Sequence, residues 1–102
     1  MDIQNIKGFV LGDYGNNDII FTEHVAYGNV SLIVKVKDQH YISRTSKHYK
    51  LFYKISLGRE ELTSNLAFQS DTDDDAIGYI NKVIIPKVNA LLGTHFKVEF
   101  ND

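Results

Sequence analysis

Four acidic residues stand close together in the last third of the chain: Asp71, Asp73, Asp74 and Asp75. Carboxylate oxygens at such short spacing suit Mg²⁺ and Ca²⁺. An EF-hand loop that began at Asp71 would, however, need glycine at Ala76 and glutamate at Lys82. Carboxylates at the start of a helix also accept hydrogen bonds from free amides and favour the positive end of the helix dipole. We favour this structural interpretation, and we expect no metal or other cofactor.

The histidines, serines and glycines form no recognised catalytic pattern. The four histidines are scattered, without the His-x-His or His-Glu-x-x-His pairs that place two imidazoles on one metal ion. No serine lies in a Gly-x-Ser-x-Gly turn, and the chain has no cysteine to act as a nucleophile or a zinc ligand. The sequence therefore predicts a protein that is not an enzyme and has no catalytic residues. Catalysis by His40 or His48, each beside an acid supplied by the fold, stays open as an alternative.

The basic residues are concentrated in one segment. Between residues 35 and 59 seven basic residues accompany one acidic residue, a net charge of +6, so the rest of the chain carries −8. The basic residues are Lys35, Lys37, Arg44, Lys47, Lys50, Lys54 and Arg59. Lysines beside an exposed aromatic ring suit a phosphate backbone and an unstacked base, and they also suit an acidic protein surface. The remaining alternative is a solvated sheet face that lysines keep soluble.

The elements that must position these residues are strands over the first two-thirds of the chain. Alternation of apolar and polar residues predicts an antiparallel β-meander of about five strands. In the third strand, residues 30–37, and in the fourth, residues 49–57, the lysines alternate with apolar residues. If these strands are antiparallel neighbours, their lysines share the face turned away from the core. The predicted basic binding face, including two residues of the connecting loop 38–48, is Lys35, Lys37, Arg44, Lys47, Lys50, Phe52 and Lys54.

The last third of the chain changes to helical spacing. Apolar residues at helical intervals predict an amphipathic helix over about residues 72–92, packed on one face of the sheet. The apolar stripe consists of Ile77, Ile80, Ile84, Val88 and Leu91, widened by Ala76, Val83 and Leu92. Thr72 with Asp75 fits a helix N-cap, and Gly93 fits a helix stop.

Proline interrupts this helix. Pro86 cannot donate the helical hydrogen bond and crowds the preceding turn, so we expect a kink or a break near residues 82–86. Ile85, just before the proline, is the residue expected to be displaced from the apolar stripe. After Gly93 the alternation of residues 96–100 predicts a short C-terminal strand.

Length and composition set the broad class. At 102 residues and 43% apolar residues, the chain is predicted to be one α+β domain spanning residues 1–102. No apolar run approaches the length of about 18 residues that a membrane span needs, so no membrane association is expected. The start of the chain lacks the basic and then apolar pattern of a secretion signal. A cytoplasmic location is expected, in the host cell if the protein is phage-encoded.

In size, absence of cysteine, charge separation and lack of a catalytic pattern, the chain resembles the small accessory proteins of phages and prophages of AT-rich bacteria. Within that class it is similar in kind to anti-CRISPR proteins and other inhibitors of host defence. The resemblance implies a small non-enzymatic binding protein that docks on a larger nucleic-acid-handling protein and inhibits it. Either the basic face or the acidic patch of Asp71, Asp73, Asp74 and Asp75, as a phosphate-like surface, would make the contact.

Two other functions stay open. The basic face and loop 38–48 would suit direct binding of nucleic acid, and a small domain of this kind would also suit a structural or assembly role in a phage. A protein partner is expected first and nucleic acid second. The predicted strand edges at residues 9–11 and 96–100 would also allow a homodimer.

Overall fold

The computed structural model describes residues 2–38, 49–63 and 68–101. Arg44 and Lys47 of the predicted basic face, and the alternative catalytic residues His40 and His48, lie outside these ranges. A short 3-10 turn, Ile3–Asn5, precedes the strands. The strands are β1 (Phe9–Leu11), β2 (Asn16–Val25), β3 (Gly28–Asp38), β4 (Tyr49–Leu57), β5 (Glu60–Thr63) and β6 (Phe68–Ser70).

The strands form one antiparallel sheet. β1, β2, β3 and β4 are neighbours in chain order, and the far edge of β4 pairs with β5 at one end and with β6 at the other. The register of β4 shifts by two residues between these partners, since Lys54 pairs with Thr63 and Leu51 pairs with Phe68. The predicted α+β fold with an antiparallel meander is confirmed, and it gains a short sixth strand.

Residue alternation divides the sheet into an inner and an outer face. On β3 the inward residues Val30, Leu32, Val34 and Val36 are at most 1% exposed. They belong to one apolar cluster with Leu51 and Ile55 of β4 and with the buried side of the helix. The outer face of the sheet therefore lies on the opposite side of the molecule from the helix.

The helix follows β6 and covers the inner face. It consists of α1 (Asp73–Tyr79), a π-helical turn (Ile80–Ile84) and α2 (Ile85–Leu92), which together run without interruption over residues 73–92. Gly93 ends it in the left-handed conformation, with φ of 67°. The helix predicted for residues 72–92 is confirmed. Within the described ranges, no helix is long and apolar enough to cross a bilayer.

The π-helical turn accommodates Pro86. In this turn the amide of Ile85 donates to the carbonyl of Ile80, five residues back, so the helix widens just before the proline. The additional residue in this turn rotates the following side chains about the helix axis. Ile84 and Ile85 are both buried as a result, at 1% and 3% exposure. The expectation that Ile85 leaves the apolar stripe is therefore wrong. Val83 and Leu91 are the stripe residues that lie exposed.

The predicted C-terminal strand is reduced to a single β-bridge between Ile6 and Phe100. The preceding residues are instead attached to the helix by Asn89. The side-chain oxygen of Asn89 accepts from the Thr94 hydroxyl at 2.8 Å and from the Phe96 amide at 2.9 Å, and its amide donates to the Phe96 carbonyl at 2.9 Å. An amide side chain thus takes the position of a pairing strand, which sequence alternation cannot indicate.

Candidate functional site: two charged surfaces

The first charged surface is the outer side of β3 and β4. Lys35 lies directly opposite Phe52, Lys37 lies opposite Lys50, and Ile33 lies opposite Lys54. Directly opposite residues of antiparallel strands project to the same side. We call this set, Lys35, Lys37, Lys50, Phe52 and Lys54, the lysine face. The structure brings these five residues of the predicted basic face together.

Two acidic residues that the sequence did not indicate also lie at this face. Asp18 of β2 pairs with Lys35 in the sheet, and its carboxylate lies 3.5 Å from the Lys35 ammonium group. Glu61 of β5 lies 3.7 Å from the ammonium group of Lys54. Both acids are distant in sequence from their lysines, so only the strand register could have revealed them. They partly neutralise Lys35 in the middle of the lysine face and Lys54 at one end, and not the opposite end at Lys37 and Lys50.

Lys37 and Lys50 differ from the other two lysines. They are directly opposite each other, and in the described part of the chain neither has an acidic partner. Like charges at such a position are destabilising by a fraction of 1 kcal/mol, on the order of 0.2–1. Beside Lys37 lies a hollow of about 340 Å³, whose lining includes Asn16, Lys35 and Phe52. Asp18, which is paired with Lys35, also lines the hollow, so the groups that it offers to an anionic partner are the Lys37 ammonium group, the Asn16 amide and the Phe52 ring, with Lys50 directly opposite Lys37 on β4.

The second charged surface is the start of the helix. Here Asp73 is bound within the fold: one carboxylate oxygen accepts from the Ile3 amide at 2.9 Å, and the other accepts from the Tyr49 hydroxyl. Burial, and then the neighbouring Asp73 carboxylate, raise the pKa of the Tyr49 hydroxyl well above its usual range. The four aspartates of the predicted acidic patch do not form one open surface, because Asp73 joins the N-terminal segment to β4.

The remaining contacts around this turn are structural as well. The Thr72 hydroxyl accepts from the amide of Asp75 at 3.1 Å, which is the predicted N-cap. Buried Ser70 donates to the Thr72 carbonyl at 2.8 Å and accepts from the Thr72 amide at 3.1 Å. Asp71, Asp74 and Asp75 are exposed around this cap. We refer to the segment from Ser70 to Asp75 as the acidic turn.

The histidines inside the described ranges take part in structural contacts. The His24 ring nitrogen Nδ1 lies 2.9 Å from the side-chain oxygen of Asn29. The His95 amide donates to a Glu23 carboxylate oxygen at 2.9 Å, and the His95 ring lies 3.8 Å from the other oxygen of that carboxylate. In residues 2–38, 49–63 and 68–101 no group of three acidic, histidine or cysteine side chains is placed to hold a metal ion.

Comparison with known proteins finds no match to any family model, to any curated protein or to any solved structure. The interpretation of the two charged surfaces therefore depends on their geometry. At the acidic turn a carboxylate and the cap hydroxyl are engaged inside the fold. At the lysine face two cations remain without an acid among the residues placed by the structure. The lysine face is the stronger candidate for binding.

Proposed function

We propose that this chain is a small non-enzymatic binding protein that docks through its lysine face on a larger nucleic-acid-handling protein and inhibits it. The observation that carries the proposal is the directly opposed pair of Lys37 and Lys50, which has no acidic partner among the described residues. An acidic surface brought against this pair would remove the repulsion between the two lysines. Loss of this repulsion in the complex would contribute favourably to the free energy of binding.

The residue composition of the outer face suits binding to the surface of another protein. Val10 and Ile20 are 51% and 38% exposed. Both lie on the same side of the sheet as Asp18 and its partner Lys35, because Val10 pairs with Asp18 and Ile20 lies two residues after Asp18 on β2. Protein interfaces typically combine such apolar area with charged groups at their rim, where the charges steer association. Enzymes that act on nucleic acids commonly hold Mg²⁺ with carboxylates. Such a carboxylate-lined surface would accept lysine ammonium groups in place of the metal.

The test compares two charge-reversal variants of equal size as bait in a bacterial host lysate. Lys37→Glu with Lys50→Glu reverses the two lysines at the end of the lysine face, where β3 ends and β4 begins. Lys82→Glu with Lys87→Glu reverses two exposed lysines of the helix, on the other side of the molecule. The wild-type chain and the helix variant should capture the same nucleic-acid-handling protein stoichiometrically and inhibit its activity. The variant of the lysine face should bind that protein at least about tenfold more weakly.

Two results would contradict the proposal. One is that the wild-type chain captures no such protein at stoichiometric amounts. The other is that the lysine-face variant captures and inhibits it as well as the helix variant does. Mass spectrometry of the captured band and a titration of the purified partner's activity distinguish these results.

The second candidate function is direct binding of single-stranded nucleic acid. It is favoured by Phe52, whose ring lines the hollow beside Lys35 and Lys37 and would offer a base a surface for stacking. Binding to a labelled oligonucleotide should then weaken with salt. Reversal of two phosphate-binding lysines should reduce the slope of log K against log salt by about 1.4, because each neutralised phosphate of a single strand contributes about 0.7 to that slope. An affinity that does not depend on salt would exclude this function.

A further inference from the structure

A groove of about 300 Å³ lies on the side of the sheet where β2 is only partly covered. β1 pairs with residues 17–19 of β2, and from Ile20 onwards the edge of β2 has no neighbouring strand among the described residues. The C-terminal segment, residues 94–101, forms the other side of the groove. Its lining includes residues of both sides: Ile20, Phe21, Thr22, Phe96 and Lys97.

The β2 side of the groove presents free backbone groups. The Ile20 amide donates to the Gly8 carbonyl at 2.9 Å, so the backbone groups of Ile20 point away from β3. Backbone groups two residues apart on a strand point the same way, and those of Thr22 are therefore directed into the groove. Within the part of the chain that the structure describes, the Thr22 amide and carbonyl have no hydrogen-bond partner.

The C-terminal side presents free backbone groups as well. The His95 amide bonds to the Glu23 side chain, and the Glu99 carbonyl accepts from the Lys7 amide at 2.7 Å, so both point towards the β2 side. Lys97 lies midway between them in an extended segment, and its backbone groups point in the same direction. They too are without a partner among the described residues. Two backbones with unpaired donors and acceptors thus face each other.

The floor of the groove is apolar and its rim is nearly neutral. The rings of Phe21 and Phe96, both 8% exposed, lie at the floor with centroids 6.0 Å apart. At the rim the ammonium groups of Lys7 and Lys97 lie 3.7 and 3.5 Å from the carboxylate of Glu99. Glu23 also lines the groove, so the two lysines and the two carboxylates cancel, and the rim favours an uncharged ligand over an ionic one.

We infer that the groove binds a short extended peptide segment of another protein, which adds as a strand between β2 and the C-terminal segment. Main-chain hydrogen bonds to Thr22 and Lys97 would hold this segment, and one apolar side chain would lie on the phenylalanine floor. From Ile20 to Glu23 the groove spans three residue steps, about 10 Å at 3.3 Å per residue. It therefore accommodates about three or four residues.

The length of the groove argues against a whole strand of a second copy as its occupant. At one end the backbone of Gly8 lies against β2, so close that a Cβ atom there would lie 2.2 Å from the Ile20 carbonyl oxygen. At the other end Glu23 and His95 connect the two sides. A long strand edge has no room between these two contacts, whereas a short segment does.

The test uses a library of random tetrapeptides displayed at the free N-terminus of a phage coat protein, selected on the full-length chain. Selection should enrich peptides with an uncharged centre and an apolar residue. An enriched peptide is then synthesised in two forms, one unmodified and one with alternate backbone amides N-methylated. The methylated form should bind at least about tenfold more weakly, because it lacks main-chain hydrogen-bond donors. In NMR spectra the unmodified peptide should shift the amide signals of Thr22 and Lys97 and slow their hydrogen exchange.

A protein variant gives a second readout. Lys97→Pro removes an amide that bonds to nothing else described, and it also removes the ion pair with Glu99, which Lys97→Ala removes while keeping the amide. Both variants should keep a Tm within a few degrees of wild type, and Lys97→Pro should bind the peptide about tenfold more weakly than Lys97→Ala. Lys37→Glu with Lys50→Glu lies on another face and should leave peptide binding intact, which separates this inference from the proposed function. The inference is overturned if no peptide is enriched, if the methylated peptide binds equally well, or if the NMR shifts lie elsewhere. Dimerisation that protects the Thr22 and Lys97 amides without peptide would overturn it too, by assigning the groove to a second copy.

Discussion

The acidic turn and the lysine face are both clusters of like charge, but the fold treats them differently. At the acidic turn, Asp73 accepts two hydrogen bonds from distant parts of the chain, and the helix dipole favours the carboxylates around it. At the lysine face, Lys37 and Lys50 are held opposite each other by the strand register, and the described residues supply them with no acid.

This difference indicates which of the two charge clusters is expected to bind a partner molecule. A charged group whose partners lie inside the molecule contributes to stability, and a ligand could engage it only by breaking those contacts. A charge pair that repels on an open sheet face costs stability, and a partner of opposite charge would remove that cost. The following variants test whether the acidic turn contributes stability and the lysine face contributes binding.

The largest effect is expected for Asp73→Ala. This variant leaves the Ile3 amide and the Tyr49 hydroxyl without their acceptor, and hydrogen bonds to charged groups are each worth about 1.5–3 kcal/mol. We expect the free energy of unfolding, measured by urea denaturation, to fall by about 3 kcal/mol. The matched control is Asp75→Ala in the same turn, which should cost less than about 1 kcal/mol through the helix dipole. Equal losses would contradict a special role of Asp73.

Tyr49→Phe tests the same contact from its other side. It removes the hydroxyl donor and keeps the ring, so we expect a loss of about 1.5–2 kcal/mol at neutral pH. The folded state raises the pKa of Tyr49 above its unfolded value of about 10, so this stabilisation is fully present below pH 10 and is lost as the pH rises above it. Urea titrations from pH 7 to pH 11 should show the wild type approaching the variant at the alkaline end. A constant difference would count against the contact.

Thr72→Ala tests the cap of the acidic turn. The variant removes the hydroxyl that accepts from the Asp75 amide, and removal of such an N-cap typically costs about 1 kcal/mol. Thr72→Ser keeps the acceptor oxygen and serves as the control, with unfolding close to wild type. If both variants are equally destabilised, the effect does not come from the cap.

The smallest and opposite effect is expected at the lysine face. Lys50→Gln removes the repulsion with Lys37 and should raise the free energy of unfolding by about 0.5 kcal/mol, while it weakens binding of the anionic partner. Lys35→Gln removes the same charge from a lysine that is already paired with Asp18, and it should slightly lower stability instead. A gain in stability together with weaker binding is the combination that a binding surface predicts. A decrease in the free energy of unfolding for Lys50→Gln would contradict the repulsion between Lys37 and Lys50.

Much of the fold follows from local patterns. The alternation in residues 30–37 correctly placed Val30 to Val36 in the core and the lysines outside. The N-cap at Thr72 and the stop at Gly93 were predicted from residue types a few positions apart. The shared face of Lys35, Lys50 and Phe52 followed once β3 and β4 were assumed to be neighbours.

Other features depend on contacts that local patterns do not contain. Ile85 was expected outside the core, but the π-helical turn before Pro86 rotates it inward because packing favours burial of both isoleucines. The alternation of residues 96–100 indicated a strand, whereas Asn89 takes up the hydrogen bonds of Phe96. Each case is a tertiary contact that outweighs a local preference.

By themselves, the residue patterns predicted most of the strands, the helix and, with β3 and β4 as neighbours, the common face of Lys35, Lys37, Lys50 and Lys54, because these depend on the periods of the backbone and on caps a few residues apart. Only the tertiary structure decided which charges are neutralised. Asp73 meets Ile3 across 70 residues and Tyr49 across 24, and Lys35 meets Asp18 through the sheet register. Charge interactions depend on distance in space, so the acidic turn and the lysine face could not be distinguished before the chain was folded.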